Sequence, residues 1–450
     1  MSAFFLLNIN VNKLVLINRH RSESSWLEMS KEELLETYFT FISNFSHDRA
    51  REVVEKEKEA ARTGSSFTQL LGALVTLAGA EKQFLSLSFL LPRPSSVFLR
   101  KEQSLKSLYQ AILLDLSNAL ELEKDAVVSR TCEDLLRLLQ VRVSMIAVYE
   151  KLSQFSAATA PSSYSDLVAN LSLILEELQQ SQSPLCEQWV VVLQYEAGLL
   201  LDCLSLTETL QQWNFFDSLM LLQRAAERLA RWEVVAQARE TRKLSFASSW
   251  LRGVSSTEPH LYLWFQKLKS ALLSKFSLYF YSTLSKQTNS SEMKVMCSKL
   301  SLDQSARICS FQKRLDCQSV SLLYDATGQT SYQGRPGYHF TEKDPAVAQS
   351  GLDLFAVVFS TGQPGHHWPN IVMILSDHSE ELRADRTVHF FDGGVAASYF
   401  LHQIEARFYI VLIFEGRRNE KDSTINSFIQ ETASQLSCVR IFASLKPGYK

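Results

Sequence analysis

The chain has 450 residues, of which 46% are hydrophobic and 21% are charged, and its formal net charge is −2. This length is enough for two or three domains with a substantial core. The 15 Gly and 10 Pro exclude a collagenous or broadly disordered chain. A charge so near neutrality argues against an extended nucleic-acid surface. The seven Cys include no CxxC pair, which is typical of free thiols in a reducing compartment.

The N-terminal stretch MSAFFLLNINVNKLVLINRH is apolar but interrupted by Asn8, Asn10, Asn12 and Lys13. It lacks the basic start and small-residue cleavage site of a signal peptide, and it is too interrupted to span a membrane. No uninterrupted apolar run elsewhere reaches the roughly 18 to 20 residues that a span requires. We therefore expect a soluble, cytoplasmic protein that meets membranes only through partners, with residues 1–30 disordered.

Residues 31–316 carry the periodicity of amphipathic helices. Ser30 and Glu33 form a capping-box pattern, and Leu34, Tyr38 and Ile42 follow at helical spacing. Similar apolar runs, several of them ended by Gly or Pro, predict about nine or ten helices over this region. No fixed internal period indicates a solenoid. The pattern predicts a large irregular helical bundle.

Residues 317–450 change to short runs rich in Val, Ile, Phe and Tyr, separated by turn residues. A helix, STINSFIQETASQLS, follows these runs, and VRIFASL is predicted as a last strand. The segment 328–351 has little periodicity and is predicted to form a long loop. The fold class is therefore mostly α with a C-terminal α+β module built on an antiparallel sheet. The strands predicted before the helix are SVSLLYD, LFAVVFS, NIVMILSD, TVHFFDG, SYFLH and ARFYIVLIF.

Histidines concentrate in the C-terminal third of the chain, where they suggest one catalytic alternative. Imidazole and carboxylate are ligands for zinc or another non-haem metal, so a metal-dependent enzyme is one interpretation. The spacing matches no HExxH motif, and adjacent histidines on a strand point to opposite faces. Turn and surface histidines are the plainer interpretation. The candidate ligands are His366, His367, Asp377, His378 and His389.

No other catalytic or cofactor motif is present. The glycines of GQTSYQGRPG do not form a phosphate-binding GxxxxGK[ST] loop, and no GxSxG elbow occurs. We assign no catalytic residue and no cofactor. A helical bundle joined to a small sheet module without a catalytic constellation favours an intracellular scaffold or adaptor.

Two helices and one turn supply candidate interaction residues. Trp264 and Tyr262 lie on an aromatic helix, His260 to Tyr281, which is either buried in the bundle or exposed as a partner groove. Arg224, Arg228 and Arg231 recur at intervals of four and three, so they form either a solvated face or a docking stripe for an acidic partner. Trp368 is interpreted as a cap over the end of the sheet or as a contact residue.

Several long strings resemble one family in order along the chain, from about Leu34 to Gly448. On these strings the chain is similar to the KICSTOR subunit 2 family. Residues 1–30 do not resemble the usual start of that family, and residues 117–128 and 330–351 also depart from it. The strings include REVVEKEKEAAR, LAGAEKQFLSLSFL, RWEVVAQARETRKLSF, HWPNIVMILSD, SYFLHQIEARFYIVLIFEGRRNEKDS and FASLKPG.

The resemblance implies a non-enzymatic subunit of the KICSTOR complex, with kaptin, an integrin-alpha FG-GAP repeat protein and the seizure-threshold scaffold protein as partners. It implies a complex on lysosomes that recruits the GATOR complex and supports inhibition of mTOR complex 1 on amino-acid or glucose deprivation. A link to cilium formation is also implied. By fold analogy the α+β module is expected to be similar to roadblock or longin modules. A trafficking or GTPase-regulatory adaptor outside nutrient sensing is the remaining alternative.

Overall fold

A computed structural model describes nine stretches of the chain, and the account below concerns these residues. The predictions for residues 1–28 and for the loop at 328–351 lie outside them. The domain boundaries proposed after residues 30 and 316 stay predictions. The described stretches are 29–60, 66–91, 104–122, 125–155, 164–181, 183–243, 259–327, 355–362 and 364–448.

The described chain is helical up to Arg314, as the periodicity predicts. Helix α1 begins at the predicted capping box: Ser30 Oγ accepts from the Glu33 amide at 3.2 Å, and Glu33 Oε2 accepts from the Ser30 amide at 3.2 Å. The α-helices before the sheet are α1 (Lys31–Ser43), α2 (His47–Ala60), α3 (Ser66–Ser86), α4 (Leu105–Leu122), α5 (Ala126–Leu152), α6 (Ser165–Gln180), α7 (Glu187–Gln211), α8 (Phe215–Lys243), α9 (His260–Tyr279), α10 (Tyr281–Gln287), α11 (Ser290–Ser298) and α12 (Gln304–Arg314).

The chain divides into two compact units. The first comprises Met1–Glu81, Leu108–Leu139 and Ser181–Val191. Its core is aromatic: the ring of Phe39 stacks on Trp189 at 6.0 Å, and Tyr38 donates to the Leu74 carbonyl at 2.7 Å. Burial raises the pKa of Tyr38 well above its usual value, which keeps the hydroxyl protonated as that donor.

The second unit comprises Lys82–Ser107, Gln140–Gln180 and Val192–Lys450, and it contains the sheet. Five strands pair antiparallel in the order β2-β1-β5-β4-β3. Five of the six strands predicted before the last helix are therefore confirmed, as is the fold class. The elements from β1 onward are β1 (Ser319–Asp325), β2 (Phe355–Ser360), α13 (Trp368–Asp377), α14 (Ser379–Arg383), β3 (Val388–Asp392), β4 (Ala397–Glu405), β5 (Phe408–Glu415), α15 (Ser423–Leu436) and α16 (Val439–Ala443).

Helices cover both faces of this sheet. On one face Tyr409, Val411 and Ile413 of β5 join a core with Ile371 and Ile374 of α13. Because side chains alternate along a strand, the intervening residues of β5 point to the opposite face. There the ring of Phe408 stacks on Tyr279 of α9 at 4.2 Å. The central strand β5 is consequently apolar on both sides, as strands between two helical layers are.

Two predicted strands are wrong. The run Asn370–Ser376, read as a strand, lies within helix α13, and VRIFASL contributes helix α16. In α13 the buried residues Ile371, Val372, Ile374 and Leu375 follow the 3.6-residue period, while Met373 between them is 45% exposed. Contact with one face of the sheet selects this helical pattern over the local β propensity of Ile and Val.

Helix α7 is the one helix of the described stretches that is long and apolar enough to cross a membrane. The most apolar part of α7 is 72% buried inside the fold, and the core helices of globular proteins can have the same length and apolar composition.

Candidate interaction surfaces

The two aromatic candidates on α9 are buried. Trp264 and Tyr262 are each 1% exposed. Trp264 Nε1 donates to the carbonyl of Ile441 at 2.8 Å, which ties α9 to α16. The ring of Tyr262 meets Trp232 of α8 edge-on at 6.1 Å. The structure thus places both side chains in the core, so α9 is buried in the bundle at these positions. Their role in partner binding stays a prediction.

The three arginines of α8 differ in their surroundings. Asp202 of α7, with a side chain only 1% exposed, lies 2.9 Å from Arg224 Nη2 and 3.3 Å from Arg228 Nε. Burial raises the pKa of Asp202, and the two guanidinium groups oppose that rise. A Cβ on Gly198 would lie 1.8 Å from Arg228 Nη1, so a larger residue there would displace the guanidinium group from its position across α7. Arg228 therefore serves helix packing, while Arg231 and the 55%-exposed side chain of Arg224 face solvent.

Trp368 is the first residue of α13, where Pro369 suits the opening turn of a helix. Its side chain is partly buried and packs against the core beneath α13. The structure therefore places Trp368 at the start of a helix that covers the sheet, whereas the sequence placed it before a strand. Its role as a contact residue stays a prediction.

The candidate metal ligands do not converge. His378 Nδ1 lies 3.0 Å from Glu381 Oε1, whereas the ring of His389 lies 4.7 Å from Phe400. Within the described stretches, no group of three or more His, Cys, Asp or Glu side chains is arranged to hold a metal ion. The described residues thus contain no arrangement of ligands that supports the metal-dependent enzyme.

His367 belongs to a hydrogen-bonded chain at one end of the sheet. Its Nδ1 lies 2.7 Å from the hydroxyl of Tyr399, and Asn370 Nδ2 donates to that hydroxyl at 3.2 Å and to Asp392 Oδ2 at 2.7 Å. Burial, and then the neighbouring His366, lower the pKa of His367, so its imidazole is neutral at pH 7. The chain of bonds fixes the start of α13 to strands β3 and β4, which is an architectural role.

A buried ionic cluster that the sequence did not indicate joins α9 to β4. Lys275 Nζ lies 2.7 Å from Glu405 Oε2, with the two side chains 1% and 5% exposed. Tyr279 donates to Glu405 Oε1 at 2.7 Å, and Gln211 Nε2 donates to Glu405 Oε2 at 3.3 Å. Burial and the carboxylate raise the pKa of Tyr279 well above its usual value. No sequence pattern relates residues that are 130 positions apart. The one sequence feature that pointed to this cluster was the presence of Lys275 within an aromatic helix.

A second buried pair joins α5 to α7. Arg142 Nη1 lies 2.6 Å from Glu196 Oε2, and both side chains are at most 2% exposed. Tyr149 donates to the other carboxylate oxygen at 3.1 Å, and the ring of Phe84 lies 3.9 Å from the Arg142 guanidinium carbon. Buried charges of this kind demand exact partners, so they specify one packing of the helices.

Together these features define a helical protein with an α+β module in which the buried charges named above are paired within the chain. A family model described as "KICSTOR complex C12orf66 like" matches residues 28–450. The chain is 36% identical to KICSTOR subunit 2 of Danio rerio over 436 residues, which covers 93% of the chain and 96% of that protein. It is 34% identical to KICSTOR subunit 2 of Xenopus laevis over 438 residues, covering 94% and 98%. The chain belongs to this family, which confirms the resemblance.

Proposed function

We propose that the chain is a non-enzymatic scaffold or adaptor subunit of a KICSTOR complex. The observation that carries the proposal is the end-to-end similarity to two proteins named KICSTOR subunit 2, which covers at least 93% of the chain and 96% of each relative. Folds are shared widely between unrelated functions, so similarity along almost the whole chain supports a common role better than a shared fold does.

The finer role follows from that membership. The complex holds kaptin, the integrin-alpha FG-GAP repeat protein and the seizure-threshold scaffold protein, and it recruits the GATOR complex to lysosomes. Through it the chain supports inhibition of mTOR complex 1 when amino acids or glucose are withdrawn. The chain is cytoplasmic and reaches the lysosomal surface through its partners. The five-stranded antiparallel sheet with helices on both faces supports the analogy to roadblock or longin modules.

The direct test is affinity purification of the tagged full-length chain from cells that express the other subunits, read by mass spectrometry. We expect all three KICSTOR partners to be enriched over an untagged control. Their absence contradicts the proposal.

A second measurement tests the signalling role. Cells that lack the chain should keep mTOR complex 1 active during starvation, and re-expression should restore inhibition. Normal inhibition in the deficient cells favours a trafficking or GTPase-regulatory adaptor instead.

A further inference from the structure

Strand β3 forms one end of the sheet, and within the described stretches it pairs with β4 alone. It has five residues, Val388–Asp392, so a small number of contacts holds it in place. Three histidines with a buried Nε2 atom lie around it: His402 near its start, His389 within it and His367 near its end. The state of these three imidazoles therefore bears directly on how firmly β3 is held.

His402 of β4 lies beneath the residues that lead into β3. Its side chain is fully buried, with Nδ1 at 3.4 Å from Thr387 Oγ1 and Nε2 at 3.4 Å from Asp385 Oδ1. Helix α15 also packs on β4, but its one charged side chain, Glu431, pairs with Arg307. Asp385 is thus the carboxylate that faces this imidazole. Because the Asp385 side chain is 52% exposed, water screens its charge, and it offsets little of the cost of a buried imidazolium.

His389 lies opposite Phe400 of β4, and the two rings are 4.7 Å apart. The connection from β5 to α15 brings two opposite charges toward this imidazole, those of Arg417 and Glu420. The Arg417 guanidinium lies 5.3 Å from the ring of Phe391, the next residue of β3. A proton on His389 would therefore sit in an aromatic contact beside a cation, with a single carboxylate to compensate it.

The hydrogen-bonded chain at the other end of β3 has a fixed direction. The Asp392 carboxylate can only accept, so Asn370 Nδ2 donates to it and, with its second hydrogen, to the Tyr399 hydroxyl. Tyr399 then donates to His367 Nδ1 at 2.7 Å. A proton on that nitrogen would face the Tyr399 proton, while Nε2 has no hydrogen-bond partner among the described residues. The neutral imidazole is the form that completes this chain.

Burial is the main cause that lowers the pKa of each of the three histidines. At His367 the neighbouring His366 lowers the pKa further, and Asp392 and Glu415 oppose this. When β3 separates from β4, the three rings lose their cover and their pKa returns toward the unfolded value of about 6.5. The closed strand then binds fewer protons than the open strand, so closure is favoured above about pH 6.5 and less favoured as the pH falls below it.

We propose that β3 is a pH-sensitive edge of the sheet, which separates from β4 as the three histidines take up protons between about pH 7.5 and about pH 5.5. The other strand pairs stay closed, because β1, β2 and β5 contain no histidine. Opening leaves the backbone N–H and C=O groups of β4 unpaired at a new sheet edge. This device is independent of the proposed function, because it rests on the contacts of β3 alone.

The test is hydrogen–deuterium exchange of the full-length chain at about pH 7.5 and about pH 5.5, read by mass spectrometry and corrected for intrinsic exchange rates. A histidine that is neutral in the closed strand and titrates near pH 6.5 in the open strand contributes up to about tenfold to opening over this range. We expect the protection of the β3 amides to fall at least about tenfold, while the amides of β1 and β5 change less than about threefold.

The variants His367→Gln, His389→Gln and His402→Gln should each reduce the fall in β3 protection, and the triple variant should abolish it. Each variant is compared with itself at the higher pH, so a general loss of stability cancels. His378→Gln is the matched control, because that side chain is 36% exposed and pairs with Glu381 away from β3. It should keep the full pH dependence of the wild type.

Equal β3 protection at the two pH values overturns the inference, as does a loss shared equally by β1 and β5, which is global acid unfolding. Wild-type pH dependence in all three single variants also overturns it. If the triple variant does not fold, histidine-selective NMR of the wild type decides: the rings of His367, His389 and His402 should titrate below about pH 6.5. Midpoints at or above that value refute the proposal.

Discussion

The buried cluster around Glu405 gives the sharpest stability prediction. Replacement of Lys275 by Met leaves the Glu405 carboxylate in a site 5% exposed, with two neutral donors, Tyr279 and Gln211, as its remaining partners. Breaking a buried ion pair in this way costs about 3–5 kcal/mol of unfolding free energy. Glu405→Gln should cost a similar amount, because it strands the Lys275 ammonium group, which is 1% exposed.

The double variant Lys275→Met/Glu405→Leu removes both charges together. Its main remaining defect is the Tyr279 hydroxyl, which loses its acceptor at a cost of about 1–3 kcal/mol. The double variant should thus be more stable than either single variant. The coupling is obtained from urea unfolding followed by tryptophan fluorescence and far-UV circular dichroism, with hydrogen exchange of the β4 amides as a local measure.

Two results would refute this reasoning. One is a cost below about 1 kcal/mol for both single variants, which would mean that the charges are hydrated in solution. The other is a double variant whose cost equals the sum of the single variants within about 0.5 kcal/mol, which would mean that the two groups do not interact.

Three further predictions concern the core, one helix crossing and acid stability. Trp264→Ala should lower the unfolding free energy by about 3–5 kcal/mol, because a buried indole and its bond to Ile441 are lost. Gly198→Ala should stabilise an Arg228→Ala background by about 0.5–1 kcal/mol through helix propensity, and should stabilise the wild type less because the new methyl group displaces Arg228. Burial lowers the pKa of His402, so the folded chain binds fewer protons than the unfolded chain, whose pKa is about 6.5. Stability should therefore fall as pH drops below about 6.5, and His402→Gln should reduce that fall.

Each of these has a contrary outcome. A Trp264→Ala chain that melts normally but loses its partners would place the indole in an interface instead of the core. If Gly198→Ala changes the unfolding free energy equally with and without Arg228, the new methyl group does not displace Arg228 in solution. A pH profile of urea unfolding that is identical for the wild type and His402→Gln would show that folding does not change the pKa of His402.

Local patterns were sufficient for much of the fold. Short runs rich in Val, Ile, Phe and Tyr around Val388–Asp392 and Phe408–Glu415 predicted strands, and the capping box at Ser30 predicted the start of α1. These signals succeed because strand pleat, helix period and cap hydrogen bonds are all formed by residues near one another in sequence. Long strings of similarity placed the chain in its family for a different reason, since they need no structure at all.

Other features depend on contacts between distant residues. The run after Trp368 is apolar at almost every position, so its period is ambiguous; docking on one face of the sheet makes it a helix. The pairing of Lys275 with Glu405, and of Arg224 and Arg228 with Asp202, joins residues that no local rule relates. The histidines of the C-terminal third suggest a metal site by composition, but within the described stretches no three potential ligands gather to hold one. Residue types and periods are properties of the sequence, whereas burial and charge pairing arise when distant segments pack together.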